Sequence, residues 1–117
     1  MGLEHELMQF FTYNHLPEPQ RQVSMTFHHL ADVVVHADDL EMEELVPPLI
    51  ELQCDLVERL PQQNVETRWA LDKMSTAREL LRGSSIVPRQ ERLSSVLRLL
   101  LEAKDCAVRS TFYKEPE

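Results

Sequence analysis

Apolar residues in this chain recur at every third or fourth position along stretches bounded by proline, serine or asparagine, and that period is the pattern of amphipathic helices. Val23, Phe27, Leu30, Ala31, Val34 and Val35 predict a helix over about residues 20–36. Asp38 and Asp39 are N-cap candidates for a short helical turn through Glu41, Glu43 and Glu44, whose carboxylates suit the positive end of a helix dipole. After Pro47-Pro48, which a first helical turn tolerates, Leu49, Leu52, Leu56, Val57 and Leu60 predict a helix over about 48–60. The loop Pro61-Gln62-Gln63-Asn64 ends in a capping residue and leads into a stripe of Ala70, Met74, Ala77 and Leu81, with Gly83 placed as a C-terminal stop. A last helix over about 88–111 carries Leu93, Val96, Leu97, Leu100, Ala103 and Ala107. Leu99, Leu101 and Val108 widen its apolar surface beyond one stripe, so it is expected to be buried on two sides, as the central helix or against another subunit. The one β-branched run, Val33 to Val35, lies inside a helical pattern. The expected fold is all-α: a compact bundle of four main helices preceded by an extended arm.

At 117 residues the chain has the size of one domain, divided as arm (1–19), bundle (20–112) and tail (113–117). Its two glycines, Gly2 and Gly83, cannot build a glycine-rich phosphate loop or dinucleotide fingerprint. The net charge of −8 disfavours long nucleic acid but leaves room for a small anion. That charge is uneven: residues 1–60 hold two bases and twelve acids, net −10, and residues 61–117 hold ten bases and eight acids, net +2. Such asymmetry suits complementarity between halves of the fold or between subunits, and equally suits solvated helix faces. Cys54 and Cys106 form no CxxC pair and read as reduced core thiols. No apolar stretch approaches the roughly 20 residues of a membrane span. The opening Met1-Gly2-Leu3-Glu4-His5-Glu6 has acids where a signal peptide needs bases. A cytoplasmic protein without membrane contact is expected.

Catalytic and metal-binding patterns are weak. His29, Asp32 and His36 share a helical face at i, i+3, i+7, yet the paired Glu-x-x-His elements of a di-iron bundle are missing. Ser84 and Ser85 lack a nucleophile elbow, and Glu41, Glu43, Glu44 and Glu51 read as a solvated acidic face. The expectation is no enzyme, no metal and no cofactor.

The arm is a different matter. Phe10, Phe11 and Tyr13 cluster in a proline-flanked segment, where exposed rings with Thr12 nearby could stack on nucleobases or fold back into the core. Tyr13 suits a ligand best, because its ring can stack while its hydroxyl stays wet. Phosphate-directed cations come from the second half, among them Arg68, Lys104 and Arg109, although such side chains also serve as ordinary ion-paired or solvated groups.

These residues resemble a known family. The arm Phe11-Thr12-Tyr13-Asn14-His15-Leu16-Pro17, the helix with Leu30-Ala31-Asp32-Val33-Val34, the loop Leu60-Pro61 and the helix Glu66-Thr67-Arg68-Trp69-Ala70-Leu71-Asp72-Lys73-Met74 are similar to the small bacteriophage anti-CBASS proteins. Leu100-Leu101-Glu102-Ala103-Lys104-Asp105-Cys106-Ala107-Val108-Arg109 looks like that family's closing helix. The likeness covers about half of the chain; the segment around 37–57 is extra, and where the family has a basic residue on its first long helix this chain reads Phe27-His28-His29-Leu30. The resemblance implies a helical hexamer that sequesters cyclic dinucleotides or trinucleotides, without cleavage, against CBASS-type immunity. It implies stacking by Tyr13, with Phe11 also among the ligand-binding candidates, a hydrogen bond from Thr12, and a phosphate contact from Arg68 or from a closing-helix cation, Lys104 or Arg109; the missing base implies a changed ligand, or His28 or His29 serving instead. The alternative is a helical protein-interaction or regulatory subunit that uses an exposed apolar helix face.

Overall fold

The computed structural model describes residues 20–36, 41–82 and 86–111. The arm with Phe11, Thr12 and Tyr13, the candidate caps Asp38 and Asp39, the stop Gly83 and the serines Ser84 and Ser85 lie outside the described residues.

Among the described residues, four α-helices and one 3-10 turn follow the apolar periods closely. Helix α1 spans Gln20–Val35 and buries Val23, Phe27, Leu30, Ala31 and Val34. The 3-10 turn Met42–Leu45 is capped by Glu41, whose backbone N–H donates to Glu44 Oε2 at 2.7 Å. Helix α2, Val46–Arg59, takes both prolines into its first turn, where no intrahelical N–H is lost. Helix α3, Val65–Leu81, starts at Asn64, whose side chain accepts the Glu66 N–H at 3.0 Å. Helix α4, Arg89–Ser110, is the longest, at 22 residues.

Cross-helix contacts fix the directions. Gln53 on α2 reaches the Leu71 carbonyl and Ser75 on α3. Lys73 meets Glu102, Glu66 meets Arg109, and the Leu80 carbonyl accepts from Arg92, so positions rise along α3 as they fall along α4. Between α1 and α4 the same descent pairs His28 with Lys104 and Gln22 with Ser110. Helix α1 runs antiparallel to α2 as well, since the start of α1 at Gln22 and Val23 shares a cavity with the end of α2 at Arg59. The result is an up-down-up-down four-helix bundle in which α4 packs against both α3 and α1. That double packing accounts for the wide apolar surface of α4: Leu97 and Leu100 are buried, and Leu99 and Leu101 lie partly buried against the core. Among the described residues there is no strand, and no helix is long and apolar enough to cross a membrane.

Helices α3 and α4 approach through Ala70, Ala77, Ala103 and Ala107, all without exposed surface. At the end where α3 begins and α4 ends, Thr67 and Ser110 are fully buried and share a hydroxyl hydrogen bond, and Asn64 donates to Ser110 at 3.4 Å. Each buried hydroxyl is thereby satisfied without water.

Three expectations need correction. The N-cap position of the 3-10 turn is held by Glu41. Cys106 is buried, but Cys54 is exposed, because it lies on the side of α2 opposite the stripe of Leu49, Leu52 and Leu56. Val57 is 47% exposed for a related reason: it is four residues after Gln53 and follows that polar side chain along the outer edge of the α2–α3 seam.

Candidate functional site

A lysine on an apolar stripe is the first unusual feature of the bundle. Lys104 follows Leu93, Leu97 and Leu100 at helical spacing on α4, and it has no exposed surface. Burial pulls its pKa below the ordinary lysine value, while neighbouring Asp105 acts in the opposite sense. Opposite it on α1 stands half-buried His28, whose pKa is lowered chiefly by burial. The charges of His29 and Lys104 lower it further and Asp32 raises it. The α1–α4 seam therefore carries a half-buried histidine within electrostatic reach of a fully buried lysine, each with its charged form disfavoured by burial.

A cavity of about 370 Å³ opens at the end of this seam, bounded by Gln22, Val23, Arg59, Leu60, Pro61, Ser110 and Thr111. His28 lies six positions beyond Gln22, and Lys104 six before Ser110, which is roughly 9 Å along each helix axis at 1.5 Å per residue. The chain enters α1 at this end, at Gln20, and leaves α4 here at Ser110. The aromatic segment is thus joined to the rim of the cavity by a few residues of chain.

The other candidate cations lie at the same end but on other faces. Arg109 is exposed on α4 and turned towards α3, where its Nε donates to Glu66 Oε1 at 3.2 Å and its Nη2 to Cys106 Sγ at 3.4 Å. The hydrogen bond to Glu66 holds the Arg109 pKa above its usual value. Arg68 is exposed in the first turns of α3, diagonally across the bundle from α1. The fold therefore brings His28 and Lys104 together, and it leaves Arg68 and Arg109 apart from them. Sequence reasoning did not single out Gln22, Arg59, Ser110 or Thr111, since the cavity exists only where the start of α1 meets the ends of α2 and α4. Sequence reasoning grouped Lys104 with the ion-paired or solvated cations; its place in line with Leu93, Leu97 and Leu100 is the signal that could have marked it as buried.

Other constellations are local. His36 Nδ1 sits 2.9 Å from the Asp32 carbonyl oxygen and 3.2 Å from its carboxylate, one turn along the same helix. Among the described residues no three His, Cys, Asp or Glu side chains are arranged to hold a metal. Glu41, Glu43, Glu44 and Glu51 are exposed. Burial pushes the Cys106 thiol up, so its reactive thiolate is disfavoured.

The lowered His28 pKa has a consequence for stability. Below pH 6.5 the unfolded chain gains a proton at this position that the folded chain resists, so stability falls with pH between 6.5 and the folded value. In urea titrations at pH 7.5 and 5.0, replacing His28→Gln is expected to reduce this acid sensitivity. An unchanged difference between the two pH values would place the sensitivity elsewhere.

No protein-family model matches the chain, nor does any curated protein or solved structure.

Proposed function

We propose that this protein binds a cyclic dinucleotide or trinucleotide and sequesters it without cleavage, in the manner of the phage anti-CBASS proteins it resembles. The observation that supports the reading is buried Lys104 within electrostatic reach of His28 on the α1–α4 seam, roughly 9 Å along the helix axes from a cavity at the end where the chain enters α1. A buried cation is worth far more to a phosphate than a solvated one, because the surrounding dielectric is low. At about 370 Å³ the cavity is at the small end of the roughly 300–1,000 Å³ usual for ligand sites. It would take one nucleotide unit, with stacking by Phe11 and Tyr13 and a hydrogen bond from Thr12. Arg68 is too far round the bundle to join His28 in one chain and would meet the same ligand only from a neighbouring copy. The resemblance supplies such copies as a hexamer. Binding of this kind needs no turnover, metal or cofactor, and its place is the host cytoplasm where such messengers are made.

Calorimetric titration of Tyr13→Ala tests the arm. Loss of one base stack, about 1–3 kcal/mol, corresponds to roughly fivefold to 150-fold weaker binding with an unchanged helical circular-dichroism spectrum. Affinity equal to the wild type would remove Tyr13 from the site.

A further inference from the structure

The cavity at the end of the α1–α4 seam is lined by a cation that none of the roles above uses. Arg59 stands in the last turn of α2, one of only two bases in the acidic first sixty residues, and it is the one charged side chain among the described residues that line the cavity. Its Nε pairs with Asp55 Oδ1 at 3.0 Å, one turn back on the same helix. Among the described residues nothing else engages its guanidinium, so one edge of the planar group is fixed by Asp55 and its two terminal amino groups are left over.

The surroundings favour an anion at those amino groups. Gln22 and Val23, across the cavity, belong to the first turn of α1, at the positive end of that helix's dipole. The ends of α2 and α4 also meet here, and their carbonyls would repel an anion if they were bare. They are taken by donors instead: Gln62 Nε2 reaches the Val57 and Leu60 carbonyls at 2.7 and 3.2 Å, and the Thr111 hydroxyl donates to the Val108 carbonyl at 2.6 Å. Among the described residues no carboxylate lines the cavity.

We propose that Arg59 binds a phosphate of the cyclic nucleotide at this cavity, with Asp55 as the positioning residue that holds the guanidinium in place; the inference rests on the nucleotide reading above and adds to it the group that meets the ligand's charge at the cavity. Two terminal amino groups can take two oxygens of one phosphate, which a lysine at the same place could not do. A cyclic dinucleotide carries two phosphates, so Arg59 at the cavity and Lys104 within the seam do not compete for one.

Calorimetric titration of the full chain with cyclic dinucleotides and trinucleotides tests it. Arg59→Gln is expected to bind roughly tenfold to a hundredfold more weakly than the wild type, with an unchanged circular-dichroism spectrum and an affinity less sensitive to salt. Arg59→Lys, which keeps the charge and loses the fork, is expected to fall between the two. Arg82→Gln removes the same charge from an exposed position after α3, at the end of the bundle away from the cavity, and is expected to match the wild type. An equal loss in Arg82→Gln and Arg59→Gln would trace the effect to net charge and overturn the proposal. Wild-type affinity in Arg59→Gln would overturn it as well, while leaving the nucleotide reading in place. A wild type that gives no heat with any of these ligands would overturn that reading and this inference with it.

Discussion

Replacing Lys104→Met is expected to weaken cyclic dinucleotide binding by about 2–5 kcal/mol, roughly thirtyfold or more, while the urea midpoint holds or rises. The two effects have one origin. The Lys104 ammonium has no exposed surface, and burial holds its pKa below the ordinary value. A depressed lysine pKa means that the fold disfavours the charged form: the cost is fully present below the folded pKa and is relieved as pH rises towards the unfolded value. Methionine keeps the length and volume of the stem and removes the charge, so the penalty goes with it. A lysine kept only for packing would change stability and leave binding untouched. Calorimetry and denaturation on the same sample separate the two cases. Wild-type affinity in Lys104→Met would show that the buried charge does not face a ligand.

Phe27→Ala is expected to lower the free energy of unfolding by about 3–5 kcal/mol, a large share of the roughly 5–15 kcal/mol typical of a domain. Phe27 is a fully buried aromatic at the centre of the α1 stripe, between Val23 and Leu30. Its removal leaves a void where α1 packs against α4, and close-packed neighbours collapse only partly into such a space. The control is Met25→Ala on the exposed side of the same helix, expected to stay within about 0.5 kcal/mol of the wild type. Urea unfolding followed by circular dichroism reads both. A loss below about 1 kcal/mol for Phe27→Ala would mean that α1 is not anchored through this ring.

The helices were legible because their apolar residues hold the helical period, and the loop at Pro61 with its Asn64 cap marked a boundary in residue chemistry alone. Packing on two sides was legible in α4 from Leu97, Leu99, Leu100 and Leu101, but its neighbours α3 and α1 were not, since periodicity says how much surface is covered and not by what. Val57 shows the same limit on a smaller scale. It fits the apolar spacing of α2, yet the seam with α3 is set by Gln53, Ser75 and Arg78, and Val57 follows the polar edge outwards. For the candidate site, the pairing of His28 with Lys104 depends on the antiparallel register of two helices separated by more than fifty residues. Charge counting placed Lys104 and Arg109 in one group of basic residues. The fold separates them, burying one towards α1 and tying the other to Glu66 on α3.

The central claim is sequestration without turnover, and the most direct measurement is a calorimetric titration of the wild-type chain with cyclic dinucleotides and trinucleotides, followed by heat denaturation of the complex and analysis of the released ligand. The expected result is saturable heat with at least one of these ligands and recovery of that ligand intact. Absence of heat with all of them would contradict binding, and recovery of linear or cleaved nucleotide would contradict sequestration.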